Sequence, residues 1–180
     1  TKRVVTTLKV RDQSVPGGDY LFAIYQWQFH GVREDLVLRP VSSSERVTAQ
    51  LEKLLEKAEE NPISEDDIPE PSAWDELDVY HYELWSEARK KHQRRTLELV
   101  QYRRESLTTS HRARIALLKE QFTQATDDKI MRMRQSQIDR AEADYARRIQ
   151  ELDIAMERVD ITVQPVAYGV IYIDGGIKNE

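Results

Sequence analysis

Residues 72–159 read SAWDELDVYHYELWSEARKKHQRRTLELVQYRRESLTTSHRARIALLKEQFTQATDDKIMRMRQSQIDRAEADYARRIQELDIAMERV, with no glycine and no proline. Both helix breakers occur elsewhere, six of each, so their absence over this span is selective. Glu, Arg, Ala, Leu and Gln fill the stretch, and Pro71 and Pro165 fence it. A helical region this long cannot be buried in one small core. It is expected to double back as a coiled hairpin or to pair with a partner, which points towards a binding or mechanical role.

The apolar positions divide the region into seams. Ala73, Leu77, Tyr80, Leu84 and Ala88 make one, and Ile115, Leu118, Phe122 and Ala125 another. The longest is Ile138, Ala141, Tyr145, Ile149, Leu152, Met156 and Val159, whose steps of three and four match a coiled-coil seam. Between Lys90 and Arg114 the seam is weak and polar. A break is expected near Leu107–Ser110 or near Ala125–Asp127, the second fitting better because Thr126 or Asp127 can cap a new helix. Ser72, with Asp75 three residues on, is the expected cap at the start.

Outward from this region, both ends change to strand chemistry. Val4, Thr6, Leu8 and Val10 alternate with polar neighbours, and Pro16-Gly17-Gly18 supplies a turn. Tyr20 to Phe29 (YLFAIYQWQF) is a strong strand, and Asp35 to Val41 another, with Pro40 marking an edge. Ser42 to Ser44 caps a short helix carrying Val47, Leu51, Leu54, Leu55 and Ala58 at helical spacing. Asn61 to Pro71 is an acidic, proline-broken linker. Asp160 to Ile173 is a strand that returns to the N-terminal ones. The predicted fold is α+β: a small antiparallel β-sheet with an inserted long helical hairpin, a coiled-coil-like arm. Its parts are strands in 1–44, short helix and linker in 45–71, arm in 72–159, and terminal strand and tail in 160–180.

At 180 residues, 39% hydrophobic and 33% charged, the chain is folded but carries more charge than the usual quarter or so. The absence of cysteine excludes a disulfide framework and any thiolate metal site. With no apolar run of membrane-spanning length, this suggests a cytoplasmic protein without membrane contact. Opening on Thr1 in a strand-like run, the chain is expected to be a piece of a longer protein.

The motifs of common catalysis are missing: no phosphate-binding Gly-rich Lys-Ser/Thr loop, no nucleophile elbow, no zinc-helix pattern. His30, His81, His92 and His111 lie in different segments and read as solvated surface histidines, not metal ligands. Asp66-Asp67 lacks the spaced oxygen ligands of a cation loop. No enzyme activity, cofactor or metal is expected of this chain.

Charge is unevenly distributed. Residues 45–87 hold 3 Lys/Arg and 14 Asp/Glu, whereas residues 89–148 hold 16 Lys/Arg and 8 Asp/Glu. The two blocks either neutralise each other within the fold or leave the basic one for a polyanion. Arg outnumbers Lys by 12 to 4 in the basic block, and Arg is the better bidentate phosphate partner. The candidate nucleic-acid-binding residues are Arg89, Lys90, Lys91, Arg94, Arg95, Arg103, Arg104, Arg112 and Arg114. Arg132, Arg134, Arg140, Arg147 and Arg148 continue the series. The bland alternative is a solvated face with pairs such as Arg94 with Glu98 or Arg148 with Asp144. Trp74, Trp85, Tyr80 and Tyr82 are expected to pack the helix base onto the sheet.

The segment DDKIMRMRQSQIDRAEADYARRIQELDIAMERVDITVQPVAYGVIYI, residues 127–173, resembles the C-terminal end of large bacterial Swi/Snf-type helicases. These include helicase-like proteins of phage-defence islands and, more distantly, the RNA-polymerase-associated ATPase. There a charged helix with a small-residue seam (here Ala141, Ala143, Ala146) runs into a terminal apolar strand, here Pro165 to Ile173. Residues 20–43 look like the strand pair that precedes the helices. The family's nucleotide-binding loop and acidic box are absent from this chain. The resemblance therefore implies a non-catalytic accessory region behind an ATP-dependent motor, coupling it to DNA, to the motor domains of the same chain or to a partner protein. The alternative is a coiled-coil dimerisation or scaffold domain with no nucleic-acid role, the oligomeric state being open.

Overall fold

A computed structural model describes residues 4–63 and 67–175. Its elements are β1 (Val5–Arg11), β2 (Gly18–His30), β3 (Asp35–Ser42), α1 (Glu45–Lys57), β4 (Glu59–Glu60), α2 (Asp75–Gln124), α3 (Asp128–Arg158) and β5 (Asp160–Asp174). The fold is α+β, with a mostly antiparallel five-stranded sheet in the order β3-β2-β5-β1-β4. The terminal strand does return to the N-terminal ones, but it lies between β1 and β2. It runs parallel to β1, from Val5 opposite Tyr168 to Arg11 opposite Asp174.

This corrects the expectation that Pro16-Gly17-Gly18 turns one antiparallel neighbour into the next. The turn instead crosses the end of β5: a Cβ at Gly17 would lie 3.1 Å from the Gly175 nitrogen and 3.3 Å from the Ile173 carbonyl oxygen. Alternation along a strand tells which side chains share a face, not which strand lies alongside.

Compact packing divides the chain into two units. One comprises Thr1–Gln28, Asp35–Arg89 and Ile161–Glu180, the other Phe29–Glu34 and Lys90–Asp160.

In the first unit, α1 starts at the Ser44 cap, whose hydroxyl accepts from the Val47 amide. Val47, Leu51 and Leu54 are fully buried against Val10, Val15, Phe22, Ile171 and Ile173. Each such side chain contributes about 1.5–3 kcal/mol through the water it sheds. The opposite face of β2 is covered as well, so Ala23, Tyr25 and Trp27 are also buried. Trp74 is fully buried and donates to the Gly169 carbonyl at 3.2 Å, and Trp85 donates to the Ile161 carbonyl at 2.8 Å. Tyr80 is half-buried, whereas Tyr82 is 62% exposed and tilts over Trp85, so not all four aromatics pack on the sheet. Ser72 is not the cap of α2. Pro71 opens a single 3-10 turn, Pro71–Trp74, that leads into α2, and the Ala73 amide bonds to the Glu70 carbonyl. Asp66 lies outside the described residues.

In the second unit, α2 ends at Gln124 and α3 begins at Asp128. Of the two places marked for a break, the helix opens at 125–127, with Asp127 capping α3 through a 2.7 Å bond from the Lys129 amide. The helices run antiparallel, with Ile115, Ile138 and Ala141 buried together beside Leu118 and Phe122. Where the seam turns polar it is hydrogen-bonded rather than open. Thr108 meets the Tyr145 hydroxyl at 2.9 Å, and His111 stacks on Tyr145 with ring centroids 4.1 Å apart. The 29–34 turn joins this unit: His92 Nε2 donates to the His30 carbonyl at 2.7 Å. Gly31 there is buried at φ +155°, a backbone region that favours glycine.

Candidate nucleic-acid interface

The nine predicted basic residues all lie on α2 but do not form one surface. Lys90, Lys91, Arg94, Arg95, Arg112 and Arg114 are exposed, while Arg89, Arg103 and Arg104 are half-buried. Arg89, in the first unit, holds its guanidinium 5.3 Å from the Trp85 ring centre. Arg104 forms an ion pair with Asp153 of α3. These two are therefore committed to neighbours, and the structure removes them from a free face. The remaining residues divide by helical geometry. Arg94 and Arg112 are about five turns apart and point the same way, with Lys90, Lys91 and Arg95 within the neighbouring sector. Arg114 points elsewhere, towards Asp144 of α3, whose carboxyl it helps to keep ionised.

The outward face is thus Lys90, Lys91, Arg94, Arg95 and Arg112, interleaved with exposed Glu98 and Glu105. Among the described residues Arg94 and Glu98 do not pair. Arg148 does pair with Asp144, at 3.3 Å, as the bland reading anticipates. Arg147 joins the same carboxylate at 2.6 Å, and this hydrogen bond is the main reason the Asp144 carboxyl is held below its usual range.

A second feature of this unit was not legible in the sequence. An open groove of about 600 Å³ lies between α2 and α3, lined by Tyr102, Arg103, Leu107, Arg148, Leu152 and Arg158 among others. Tyr102 is 71% exposed at its rim. Arg158 is held by Glu34, whereas Arg103 has no ion-pair partner among the described residues. Arg103 on α2 and Arg148 on α3 are far apart along the chain yet face one groove, because antiparallel packing brings distant positions together. Tyr102 breaks the apolar spacing and so carries no seam signal.

The histidines are the clearest departure from expectation. His81 is 6% exposed, not a surface residue. It stacks on Tyr25 with centroids 3.5 Å apart and accepts the Trp27 indole N–H at Nε2, 2.8 Å away. Burial, and then Arg39, push its pKa down to about 4 against the opposing pull of Asp78. It is neutral at physiological pH, with its proton on Nδ1. Asp78 accepts from the hydroxyls of both Tyr25 and Tyr168. Burial, with this carboxylate, raises the Tyr25 pKa. His92 and His111 are half-buried and bonded. His81 is thus held by its packing on Tyr25 and its bond from Trp27, within the first unit.

Among the described residues no group of three or more His, Asp or Glu side chains is placed to hold a metal ion. Among the described residues no helix is long and apolar enough to cross a membrane. No protein-family model matches the chain, and no curated protein matches it either.

Proposed function

We propose that the chain is a non-catalytic accessory module that contacts nucleic-acid phosphates through α2, in the setting the resemblance implies: the region behind a Swi/Snf-like bacterial helicase motor. The supporting observation is the outward face of Lys90, Lys91, Arg94, Arg95 and Arg112, cations left exposed while neighbouring arginines are taken up by carboxylates or tryptophan. Lys90 to Arg95 and Arg112 are separated by roughly 25 Å or more at 1.5 Å per residue, so they reach two stretches of backbone rather than one. Tyr102 adds an exposed ring suited to stacking on an unpaired base, beside the Arg103 guanidinium. Nothing in this arrangement reads base edges, so the contact is with backbone and shape. A cytoplasmic location belongs to the same reading.

Fluorescence anisotropy with a labelled duplex and a labelled single strand at 50 mM salt tests it. About five phosphate contacts give a slope of log affinity on log salt near −4.5, a loss of roughly several hundredfold by 200 mM. Changing Arg94, Arg95 and Arg112 to Glu should abolish binding. Unchanged binding by that variant, or no binding by the parent chain, rejects the reading. Arg104 is left out of the variant because its partner Asp153 would be stranded.

A further inference from the structure

The two edges of the sheet are unlike. β4 is two residues long and both are Glu, a short charged edge that repels an added strand. At the other edge, Asp35 to Arg39 of β3 are all exposed, with Leu36 at 56% and Leu38 at 52%. This longer edge is apolar in its middle, at Leu36, Val37 and Leu38, with its charges and Pro40 set towards the ends.

Pro40 orients it. Proline has no N–H to give, so within a strand it is tolerated where that side faces away from the neighbouring strand. Peptide direction alternates along a strand, so Leu36 and Leu38 share the outward direction of Pro40. The Leu36 amide agrees: it is taken by the Asp35 carboxylate at 2.9 Å.

The segment Asp35-Leu36-Val37-Leu38-Arg39 is complementary to itself. Laid antiparallel on a second copy and centred on Val37, it sets Asp35 opposite Arg39 of the second copy and Leu36 opposite its Leu38. The Leu36–Leu38 positions exchange both backbone hydrogen bonds once the Asp35 carboxylate leaves the Leu36 amide for Arg39 of the second copy. The Asp35–Arg39 positions are the closer, non-hydrogen-bonded kind, where opposite charges attract best. Arg39 already lies along the sheet, its guanidinium 5.3 Å from the Trp27 ring centre. Pro40 ends the ladder on each side. We propose that β3 is a homodimerisation edge, through which two copies pair antiparallel about Val37 and join their sheets. The pairing would be two-fold symmetric, so it closes at a dimer. It is independent of the α2 basic face.

Sedimentation velocity on the full chain, from micromolar to a few hundred micromolar, reads the result. The parent chain should shift to dimer across this range. Leu38→Pro removes an outward N–H without touching the bonds to β2 and should leave monomer. Asp35→Arg should weaken dimerisation by about tenfold or more, since two attractive pairs become repulsive. Adding Arg39→Asp to it should restore the dimer to within a few-fold of the parent. Circular dichroism checks that each variant folds, and Asp35→Arg carries the test if Leu38→Pro does not. A parent chain that stays monomeric, a dimer indifferent to Asp35→Arg, or a charge swap that restores nothing overturns the proposal.

Discussion

The ring of Phe22 on β2 occupies the space that a side chain at Gly169 on β5 would need. A Cβ there would fall well inside contact distance of two ring carbons and of the Thr6 carbonyl oxygen on β1. Phe22 is 1% exposed and belongs to the core under α1, so the ring has little room to move. Gly169 also offers its carbonyl to Trp74 on the other side. One glycine thus lets three strands and two aromatic side chains close around it.

Gly169→Ala should therefore destabilise the protein by about 3 kcal/mol, the upper end of overpacking, because one of the opposing atoms is backbone. Urea denaturation measures it. In a Phe22→Leu background the same change should cost less, and equal costs in the two backgrounds would deny the contact.

Stability should depend on pH through His81. Its pKa in the fold, about 4, lies below the unfolded value near 6.5. The unfolded chain therefore binds more protons between these values, and stability falls as pH drops from about 6.5 to about 4. The full difference is on the order of 3 kcal/mol. His81→Gln retains an acceptor for the Trp27 indole but cannot titrate. Thermal unfolding from pH 7 to pH 4 should show a shallower decline in that variant than in the parent chain.

Asp127→Ala removes the side-chain acceptor at the start of α3 and should cost about 1 kcal/mol. Amide hydrogen exchange should accelerate at Lys129 and its neighbours while the Ile115–Ile138 contact stays protected. A uniform loss of protection throughout α3 would mean the cap does more than close one turn.

The hairpin should draw its strength from its small apolar seam rather than from its visible ion pairs. Ile138→Ala, at a site 8% exposed, should cost about 2 kcal/mol or more. Arg104→Ala removes a half-exposed pair with Asp153 and should cost less than about 1 kcal/mol. Melting temperatures of the two variants compare them directly.

Much of the secondary structure was legible because it depends on neighbours in the chain. The absence of Gly and Pro over 72–159, the Ser44 and Asp127 caps and the three- and four-residue seams act within a turn or two. Pro40 marked an edge strand for an equally local reason, its missing N–H.

What the sequence could not reveal depends on residues far apart meeting. That β5 enters between β1 and β2 follows from how three strands bury their faces together, and Gly169 shows its purpose only once Phe22 lies against it. His81 looked like a surface histidine because nothing within four residues buries it; Tyr25 and Trp27, more than fifty residues earlier, do. The basic block likewise gave a series of candidates with no sign of which were taken, and Asp153 and Trp85 claim two of them. Composition by itself determined a charged, helix-rich α+β chain, because propensity and capping are local energies. Only the tertiary structure decided which charges remain free, because that depends on long-range packing and on which counter-charge comes within reach.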